Sequence, residues 1–439
     1  MVTHLQIVGS TNVGGEYNTG LLALQTVTDA RAAGKALLGA KTNGEIAFGL
    51  NCTNLMFHVA RSIENVVNRN KNMDTNQDIE ESKQILNIEA GDNIILSRAC
   101  HDANIAPWLL LAKNLDLEVR WLECLGSLPP NDKEVDDSNM DCIDIEQIAS
   151  LIDSKTRLIS LGLASNATGR IHVPVVERIN QVMENLNDEH RPYLILDGTH
   201  YLPHRRANLE MLKADAIICS AYKFFGPHIG VMAFNGARMK HLMPSKVGVR
   251  YNRMGSFETD LLDYGLAPDV SNCEISRWEM GTLNYEALAG FDSCVNYLAS
   301  LGKHKTPCES KTNDRNRDLD DSFGILRNYE ESLSQRFLNG IRSNLLLNKI
   351  RLIGSRDCKE RTPTFALTLN NCNHHSGVNL VQKLNKNNIL CTHGNHYAPD
   401  LVENCLNEPN GVTRISLLHY NTIEEVDQIV RVLEECVQK

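Results

Sequence analysis

The stretch YLILDGTHYLPHRRANLEMLKADAIICSAYKFFGPHIGVMAFN (residues 193–235) decides the fold of this chain. It holds three short apolar runs, at 193–197, 215–220 and 230–235, which are separated by turn-forming residues. Short runs of Ile, Leu, Val, Tyr and Phe between turn residues predict strands. Because the runs show no alternation with polar residues, we expect these strands to be buried on both faces of a sheet.

The same alternation of apolar runs and helical patterns extends towards the N-terminus. Strands are predicted at 45–51, 92–97 and 157–163, and helices follow them at 53–67, 106–115 and 175–186. Strands that alternate with helices are typical of an α/β fold, in which helices cover both faces of a mostly parallel central sheet. The sequence therefore predicts a large α/β domain.

The C-terminal part has a different pattern. Strands of a smaller α+β unit are predicted at 350–355, 363–370 and 411–420. A closing helix is predicted at 421–437, because Thr422 and Glu425 form a capping box ahead of apolar residues at helical spacing.

These patterns suggest two domains. We predict a large domain over residues 12–300 and a small C-terminal domain over 301–439, with residues 1–11 as a candidate addition to the small domain. The longest polar run, at 302–322, is the expected boundary.

Composition and charge exclude several classes of protein. The chain has 44 basic and 54 acidic residues, a net charge of -10 and no run of Lys and Arg, so no nucleic-acid partner is expected. No apolar stretch approaches the ~20 residues that span a bilayer, and the first residues lack the pattern of a secretory signal, so no membrane association is expected. The 13 cysteines contain no C-x-x-C pair, which indicates reduced thiols in a cytoplasmic protein.

A metal site is not expected either. His393 and His396 have a spacing that metal ligands sometimes show, but the sequence offers no third ligand beside them. We therefore interpret them as loop histidines.

Polar side chains follow the predicted strands, at the ends where open α/β sheets bind their ligands. Cys52 and Thr53 open a helix after the first strand, and a helix N-terminus is suited to bind an anion. The other strand ends carry imidazole, amide, carboxylate, hydroxyl, phenol and amine groups, from His101, Asn166, Asp197, His200, Ser220, Tyr222 and Lys223. The sequence thus places an anion site beside candidate acid, base and nucleophilic groups.

Lys223 is the most informative of these side chains. It lies between two apolar strands and is followed by two Phe residues and a Gly-Pro turn. The alternative interpretation is an ordinary solvated lysine. A lysine that is desolvated at this position would have a depressed pKa and could form a Schiff base.

Segment 194–234 closely resembles the class-V aminotransferase family, and within it the cysteine-desulfurase-like branch of the fold-type-I pyridoxal-phosphate enzymes. Further segments match in the same order, at 30–40, 91–108, 156–171, 276–290 and 413–427. The resemblance implies a mostly parallel large domain with a smaller α+β domain, and pyridoxal 5'-phosphate as cofactor. It also implies an L-amino acid substrate and a homodimer with the active site at the subunit interface.

The resemblance assigns roles around the cofactor ring. Lys223 would hold the cofactor as an aldimine and move protons at the substrate Cα. Asp197 would keep the pyridine nitrogen protonated, because a neighbouring carboxylate favours the charged form, and this makes the ring an electron sink; otherwise it only caps the next turn. His101 would stack on the ring, the alternative being a plain loop histidine. Asn166 would hydrogen-bond the ring hydroxyl, although Asn before Ala-Thr-Gly is also a good turn residue.

The cofactor phosphate would lie at the N-terminus of the helix that begins near Cys52 and Thr53, where backbone N–H groups point outwards. Ser220 would add a hydroxyl. Thr282 would reach the phosphate from the neighbouring subunit, unless it is a plain turn residue.

On the substrate side, Arg414 would bind the α-carboxylate in a bidentate pair, the alternative being a strand-edge arginine. Desulfurases of this kind carry a nucleophilic cysteine on a mobile loop, which matches residues 391–401. Tyr397 occupies the position of that cysteine, and Cys391 could replace it only after a rearrangement. Sulfur transfer through a persulfide is therefore doubtful, and His396 and Tyr397 are predicted to contact the substrate.

Two further departures concern the reaction and the N-terminus. His200 and Tyr222 stand where the family often has Gln and His, and both can still hydrogen-bond or stack near the ring. The family also has a few dozen additional residues before the segment that matches 12–20, so either this form is shortened or the sequence begins downstream of them.

The residues support two hypotheses. The first is a pyridoxal-phosphate enzyme that acts on an L-amino acid or a sulfur-containing derivative, for which a C–S lyase fits the family, and an aminotransferase or epimerase would use the same lysine. The second is a catalytically weak scaffold that acts through a partner. The retained Lys223, Asp197, His101 and Arg414 argue against a scaffold, which needs none of them.

Overall fold

The computed structural model describes residues 1–9, 11–13, 15–42, 44–72, 88–127, 136–187, 190–245, 277–302, 314–342, 349–369 and 375–438. Within these ranges, two β-sheets are surrounded by helices. No helix of the described ranges is long and apolar enough to cross a membrane.

A seven-stranded sheet forms the centre of the molecule. Its strands in chain order are β1 (Gly44–Gly49), β2 (Asn93–Ser97), β3 (Glu118–Leu122), β4 (Thr156–Gly162), β5 (Tyr193–Asp197), β6 (Ala216–Ser220) and β7 (Gly230–Asn235). The spatial order is β1-β7-β6-β5-β4-β2-β3. Neighbours pair in parallel except where β7 meets β6 and β1. The prediction of a mostly parallel α/β sheet is confirmed.

The burial of the strands explains which of them could be predicted. Every residue of β2 and of β6 is buried, as expected for apolar runs in the middle of a sheet. The strand β3 was not predicted, because Glu118 and Arg120 interrupt its apolar residues. It lies at the edge of the sheet, where a half-exposed strand tolerates charged side chains.

Helices pack on the sheet and on one another. Their bounds are α1 (Val2–Ile7), α2 (Asn18–Leu38), α3 (Cys52–Asn72), α4 (Ala106–Leu115), α5 (Ile148–Leu151), α6 (Val173–Met183), α7 (Gly236–Met239), α8 (Tyr285–Ser300), α9 (Arg315–Ile341), α10 (His375–Lys386) and α11 (Ile423–Val437). Helix α3 lies against β6 and β7, and α2 lies against β1 and α8. The first of these contacts matters for function, because α3 begins at the same sheet edge where β5 and β6 end.

A second, antiparallel sheet forms the C-terminal part. Its strands are β8 (Ile350–Ile353), β9 (Thr364–Leu369), β10 (Thr392–Gly394) and β11 (Val412–Ser416), in the order β10-β11-β9-β8. Helices α10 and α11 pack with it. The predicted capping box is confirmed, since Thr422 Oγ1 accepts the Glu425 N–H at 3.2 Å and the Glu425 carboxylate accepts the Thr422 N–H at 2.9 Å.

The two sheets have separate hydrophobic clusters, and α9 contributes to both. Leu319 and Phe323 belong to the cluster of the large sheet, whereas Leu333 and Phe337 belong to that of the small sheet. Residues 315–322, expected to be part of a boundary run, instead form the first turns of α9. Residues 303–313 lie outside the described residues. The division at residue 300 and the assignment of residues 1–11 stay predictions, and α1 packs against α8.

Candidate active site

A cleft of ≈ 680 Å³ opens at the carboxyl ends of the central strands and is closed on its other side by the small sheet. It is the place where open α/β sheets bind their ligands. Every predicted site residue except Thr282 lines this cleft: Cys52, Thr53, His101, Asn166, Asp197, His200, Ser220, Tyr222, Lys223, His396, Tyr397 and Arg414. Thr282 is exposed in the loop that precedes α8, so its predicted role towards a neighbouring subunit stays a prediction.

The N-terminus of α3 lies at one end of the cleft. The Cys52 N–H donates to Ser220 Oγ at 2.9 Å, and the Asn51 side chain caps the helix by accepting the Asn54 N–H at 2.8 Å. These bonds fix the first turn of α3 against the end of β6. The Thr53 N–H stays available, and the helix dipole favours an anion at this position.

Gly230 makes this close approach of helix and strand possible. It pairs with Ser220 on one side and with Gly49 on the other, at the ends of β6 and β1. A Cβ on Gly230 would lie only 2.6 Å from the carbonyl oxygen of Asn51. A residue without a side chain is therefore required where α3 begins.

Lys223 projects from a short 3₁₀ helix, Ala221–Phe224, that follows β6 directly. Its Nζ lies 5.1 Å from the centre of the Tyr222 ring, which itself stacks on His228 at 4.6 Å. In the single chain the Lys223 side chain is exposed to the cleft, as in the alternative interpretation of a solvated lysine. An amine in this position is accessible to a ligand that enters the cleft.

Asp197 ends β5 and is half-buried in the wall of the cleft. Its Oδ1 accepts the Thr199 N–H at 2.8 Å, so it does cap the following turn, which was the alternative interpretation. It also acts on its neighbours, since burial first and then the charge of Asp197 raise the pKa of the Cys52 and Cys100 thiols. The pKa of Cys100 rises to about 12.

One ring nitrogen of His101 is occupied by a backbone hydrogen bond. Its Nδ1 accepts the Ala103 N–H at 3.0 Å, so Nε2 carries the proton of the neutral ring. Burial lowers the pKa of His101, although Asp197 opposes the shift. A neutral imidazole with a fixed orientation suits stacking on an aromatic ligand, and the Tyr397 ring lies 5.5 Å away.

Asn166 connects the central sheet to the substrate side of the cleft. Its Nδ2 donates to the His396 carbonyl at 2.7 Å, while Arg414 donates from Nη1 to the Asn166 carbonyl at 2.8 Å. The buried Arg361 fixes the same turn by donating to the Thr168 carbonyl at 2.8 Å. The Oδ1 atom of Asn166 is buried and has no partner among the described residues.

Arg414 lies on β11 and faces the cleft. Burial lowers its pKa from the ordinary value, but a guanidinium stays charged in proteins. Because its only described hydrogen bond is made to a backbone carbonyl, the group keeps donors for an anionic ligand. This arrangement is suited to the carboxylate of an amino acid.

The segment around Tyr397 is tied to the rest of the cleft. The Asp102 N–H donates to the Tyr397 carbonyl at 2.7 Å, and Nε2 of His396 is paired with the Val412 carbonyl at 3.0 Å. His396 and Tyr397 both have positive φ, at 54° and 59°, so neighbouring contacts must hold them in this conformation.

Sequence reasoning missed several residues of this site. Thr199 lies two positions beyond Asp197, and its buried Oγ1 has no hydrogen-bond partner within the described part of the chain. Thr364 lies far away in the chain, yet its hydroxyl is 3.1 Å from His200 Nε2. The position of Thr199 in the strand-end turn was a usable signal, whereas the pairing of His200 with β9 has no signature in the sequence.

Comparison with known families decides the identity of this fold and site. The sequence profile of the family described as aminotransferase class-V matches residues 80–315 and 321–429, which is most of the chain. This chain belongs to the class-V aminotransferase family. Members of the family are enzymes that use pyridoxal 5'-phosphate, so the predicted family and cofactor are confirmed.

Individual relatives place this member of the family in the cysteine-desulfurase-like branch. The aminotransferase-like protein FGM3 of Gibberella zeae is 28% identical over 80% of this chain and 73% of its own length. A cysteine desulfurase of Escherichia fergusonii is 26% identical over 79% of this chain and 72% of its own length. The apo structure of a cysteine desulfurase from Thermococcus onnurineus covers all of this chain and 91% of its own, at 21% identity with a TM-score of 0.72. This last likeness shows the fold, which is the fold-type-I architecture.

The residues of this cleft fit the family's cofactor. The cleft offers an amine, a carboxylate and a helix N-terminus along one sheet edge. The unpartnered Asn166 Oδ1 and Thr199 Oγ1 line it as well, and buried polar atoms of this kind normally have partners. Lys223 would hold the amine-reactive carbon of the cofactor. Asp197 would lie at the pyridine nitrogen, and the N-terminus of α3 would hold the phosphate.

Proposed function

We propose that this protein is a pyridoxal-phosphate-dependent lyase that cleaves a bond from Cβ of an L-amino acid to sulfur, with Lys223 as the residue that carries the cofactor. The observation that carries the proposal is the convergence of Lys223, Asp197, the N-terminus of α3 and Arg414 on a single cleft. An enzyme needs all four groups together, whereas a scaffold needs none of them.

Each group has a separable task. The α3 N-terminus and Ser220 would bind the phosphate, Asp197 would keep the proton on the ring nitrogen, and Lys223 Nζ would hold the cofactor and move the proton at the substrate Cα. When bound, the cofactor supplies an electron sink for the bond that breaks at Cα. His101 would cover one face of the ring as a neutral imidazole.

Arg414 determines which substrates enter. Its guanidinium is half-buried, and the Asn166 carbonyl orients it from one side. A carboxylate that accepts two parallel bonds from a positioned guanidinium is bound strongly and in one orientation. The substrate class is therefore an α-amino acid, and Arg414 sets the position of its Cα relative to Lys223.

The cysteines favour release of sulfur over its storage on the protein. Storage requires a thiolate that attacks the substrate sulfur. Burial raises the pKa of Cys391 to about 11, and Cys391 does not line the cleft. The cysteines that do line it, Cys52 and Cys100, also have raised pKa values. Among the described residues no cleft cysteine is activated, so we expect the products pyruvate, ammonia and sulfide from L-cysteine.

The first experiment tests the cofactor and the lysine together. The wild type and Lys223→Ala are purified with pyridoxal phosphate, their visible absorption is recorded, and the sample is reduced with borohydride before peptide mass spectrometry. We expect the reduced cofactor on the peptide that contains Lys223, and no fixed cofactor in the variant. Lys113→Ala, which changes an exposed lysine of α4 outside the cleft, is the matched control. A cofactor that is fixed elsewhere, or not bound at all, would refute the proposal.

The second experiment distinguishes the reactions that share this lysine. L-cysteine is supplied, and pyruvate, alanine, sulfide and D-cysteine are quantified. Pyruvate with equal sulfide supports the lyase. Alanine indicates desulfuration, a keto acid that forms only with an amino acceptor indicates aminotransfer, and D-cysteine indicates epimerisation; each of these would replace the lyase proposal.

We also propose a homodimer in which Thr282 completes the phosphate site of the partner subunit. The support is that Thr282 is exposed and outside the cleft of its own chain. Mixed dimers test this. Lys223→Ala and Thr282→Val subunits are separately impaired, but a hybrid contains one site with both native residues, so mixing after mild dissociation should restore part of the activity. No restoration in a verified hybrid would remove Thr282 from the site.

A further inference from the structure

Helix α9 buries a carboxylate where its own pattern calls for an apolar residue. Core residues of α9 follow one another at spacings of four and three, at Leu319, Phe323, Leu326, Glu330, Leu333 and Phe337. Glu330 occupies a position of this stripe and is fully buried. Burial of an ionised carboxylate is costly unless specific partners compensate it. The position therefore calls for an explanation beyond packing.

The partner of Glu330 is a histidine in the wall of the cleft. Both carboxylate oxygens lie 3.1 Å from Nδ1 of His204, and Arg205 Nη1 lies 3.7 Å from Oε2. Only 2% of His204 is exposed, but it lines the cleft together with His200, whose ring centre is 5.8 Å away. Glu330 thus joins the buried face of α9 to a histidine that lines the cleft.

This contact fixes the tautomer of His204. A carboxylate can only accept, so Nδ1 carries a proton and donates it to Glu330. Nε2 is left as the free nitrogen of the ring, and no partner for it is found among the described residues. A histidine whose Nδ1–H is held by a buried carboxylate is oriented for proton exchange through Nε2.

We propose that His204 is a second proton-transfer residue of this cleft, positioned by Glu330, and that it serves the sulfur or oxygen on Cβ of the substrate. The inference rests on the proposed lyase function and extends it to the leaving group. As the Cβ–S or Cβ–O bond breaks, its electron pair stays on the heteroatom, which takes the proton from Nε2 of the imidazolium. The proton from Cα goes to Lys223, and His204 regains its proton from water. Glu330 acts through His204 and is a positioning residue.

The test compares leaving groups that need a proton with one that does not. L-cysteine and L-serine release thiol and hydroxyl groups, whereas β-chloro-L-alanine releases chloride, which leaves unprotonated. We expect His204→Gln to lower kcat for L-cysteine and L-serine by roughly 10²-fold or more, the usual contribution of a general acid. Elimination from β-chloro-L-alanine and the cofactor absorption should stay as in the wild type. Glu330→Gln should lower the same two reactions by a smaller factor.

A structural role gives a different result. If His204→Gln lowered elimination from all three amino acids equally, or if Glu330→Gln lost the cofactor, the pair would only support the fold and the inference would be overturned. His58→Gln is the matched control, because His58 is also buried but does not line the cleft, and it should affect no reaction. Failure of the lyase proposal is distinguishable, since it shows in the wild type as formation of pyruvate from none of the three amino acids.

A readout independent of turnover uses the holoenzyme with ¹⁵N-labelled histidine. The His204 signal, assigned by its absence in His204→Gln, should show the protonated Nδ1 that Glu330 imposes. In Glu330→Gln the preference of the His204 proton for Nδ1 over Nε2 should weaken. A His204 signal with protonated Nε2 and bare Nδ1 in the wild type would overturn the inference, whatever the kinetics.

Discussion

Substitution of Gly230 by alanine tests how the anion site is built. An ideal Cβ at this position lies 2.6 Å from the Asn51 carbonyl oxygen and 2.8 Å from Leu55 Cδ1. Ordinary contact begins near 3.4 Å, so the start of α3 must move by about 0.8 Å. The first obstacle is backbone, which cannot rotate away as the end of a side chain can.

The displacement has two expected consequences. Overpacking of a filled interior costs about 1–3 kcal/mol in the free energy of unfolding. The moved helix start also weakens the bond from the Cys52 N–H to Ser220 Oγ and shifts the N–H groups that face the phosphate. A misplacement of about 1 Å can cost on the order of 10²-fold in function, so we expect the Kd for pyridoxal phosphate to rise at least tenfold.

The assay combines cofactor titration with denaturant unfolding of the apoprotein. The control is Gly324→Ala in α9, where a new Cβ meets no atom within 4 Å and the residue is helical. That variant should bind the cofactor normally and gain up to about 1 kcal/mol of stability, since alanine favours helix over glycine. If Gly230→Ala bound the cofactor like the wild type, the argument that Gly230 sets the position of the α3 N-terminus would be refuted.

Three further predictions follow from the site and its surroundings. Arg414→Lys should raise KM for L-cysteine at least tenfold and leave the cofactor absorption unchanged, because lysine cannot form the bidentate pair; an unchanged KM would contradict this. Cys391→Ser should leave sulfide release from L-cysteine unchanged, and its loss would show that this cysteine takes part. Burial lowers the pKa of His172 to about 4 from its ordinary 6.5. As the pH falls, this histidine is therefore protonated in the unfolded chain before it is protonated in the folded chain. The stability contributed by neutral His172 is therefore complete above pH 6.5 and falls by up to about 3 kcal/mol towards pH 4, and His172→Asn should flatten this dependence in urea titrations.

Much of the fold could be predicted because the central strands are buried on both faces. Runs such as 193–197 and 230–235 contain only residues that a covered sheet accepts, and both strands were predicted with their exact bounds. The edge strand β3 was missed for the converse reason, since a half-exposed strand carries charges. The polar start of α9 has the composition of a boundary segment, because its acidic and basic residues lie in a partly exposed first turn before the buried stripe begins.

The site could be predicted only where the chain itself brings residues to a strand end. Asp197, Ser220 and Lys223 follow adjacent strands, so topology alone places them together. The exposure of Lys223 could not be predicted, because it depends on what encloses the cleft rather than on the residues beside it in the chain. The same limit applies to the pairing of His200 with Thr364 and of Asn166 with His396, which join residues more than a hundred positions apart.

Glu330 shows how the two kinds of information combine. In the sequence it is one of many acidic residues of a charged helix, marked only by its place in a stripe of apolar residues at spacings of four and three. In the structure it is the residue of the core stripe of α9 that carries a charge, and its carboxylate meets a histidine of the cleft. A leucine would satisfy the stripe and would leave His204 free to take either tautomer. A buried carboxylate lowers the free energy of unfolding relative to a leucine at that position. The proton chemistry of His204 gives a physical reason for the carboxylate.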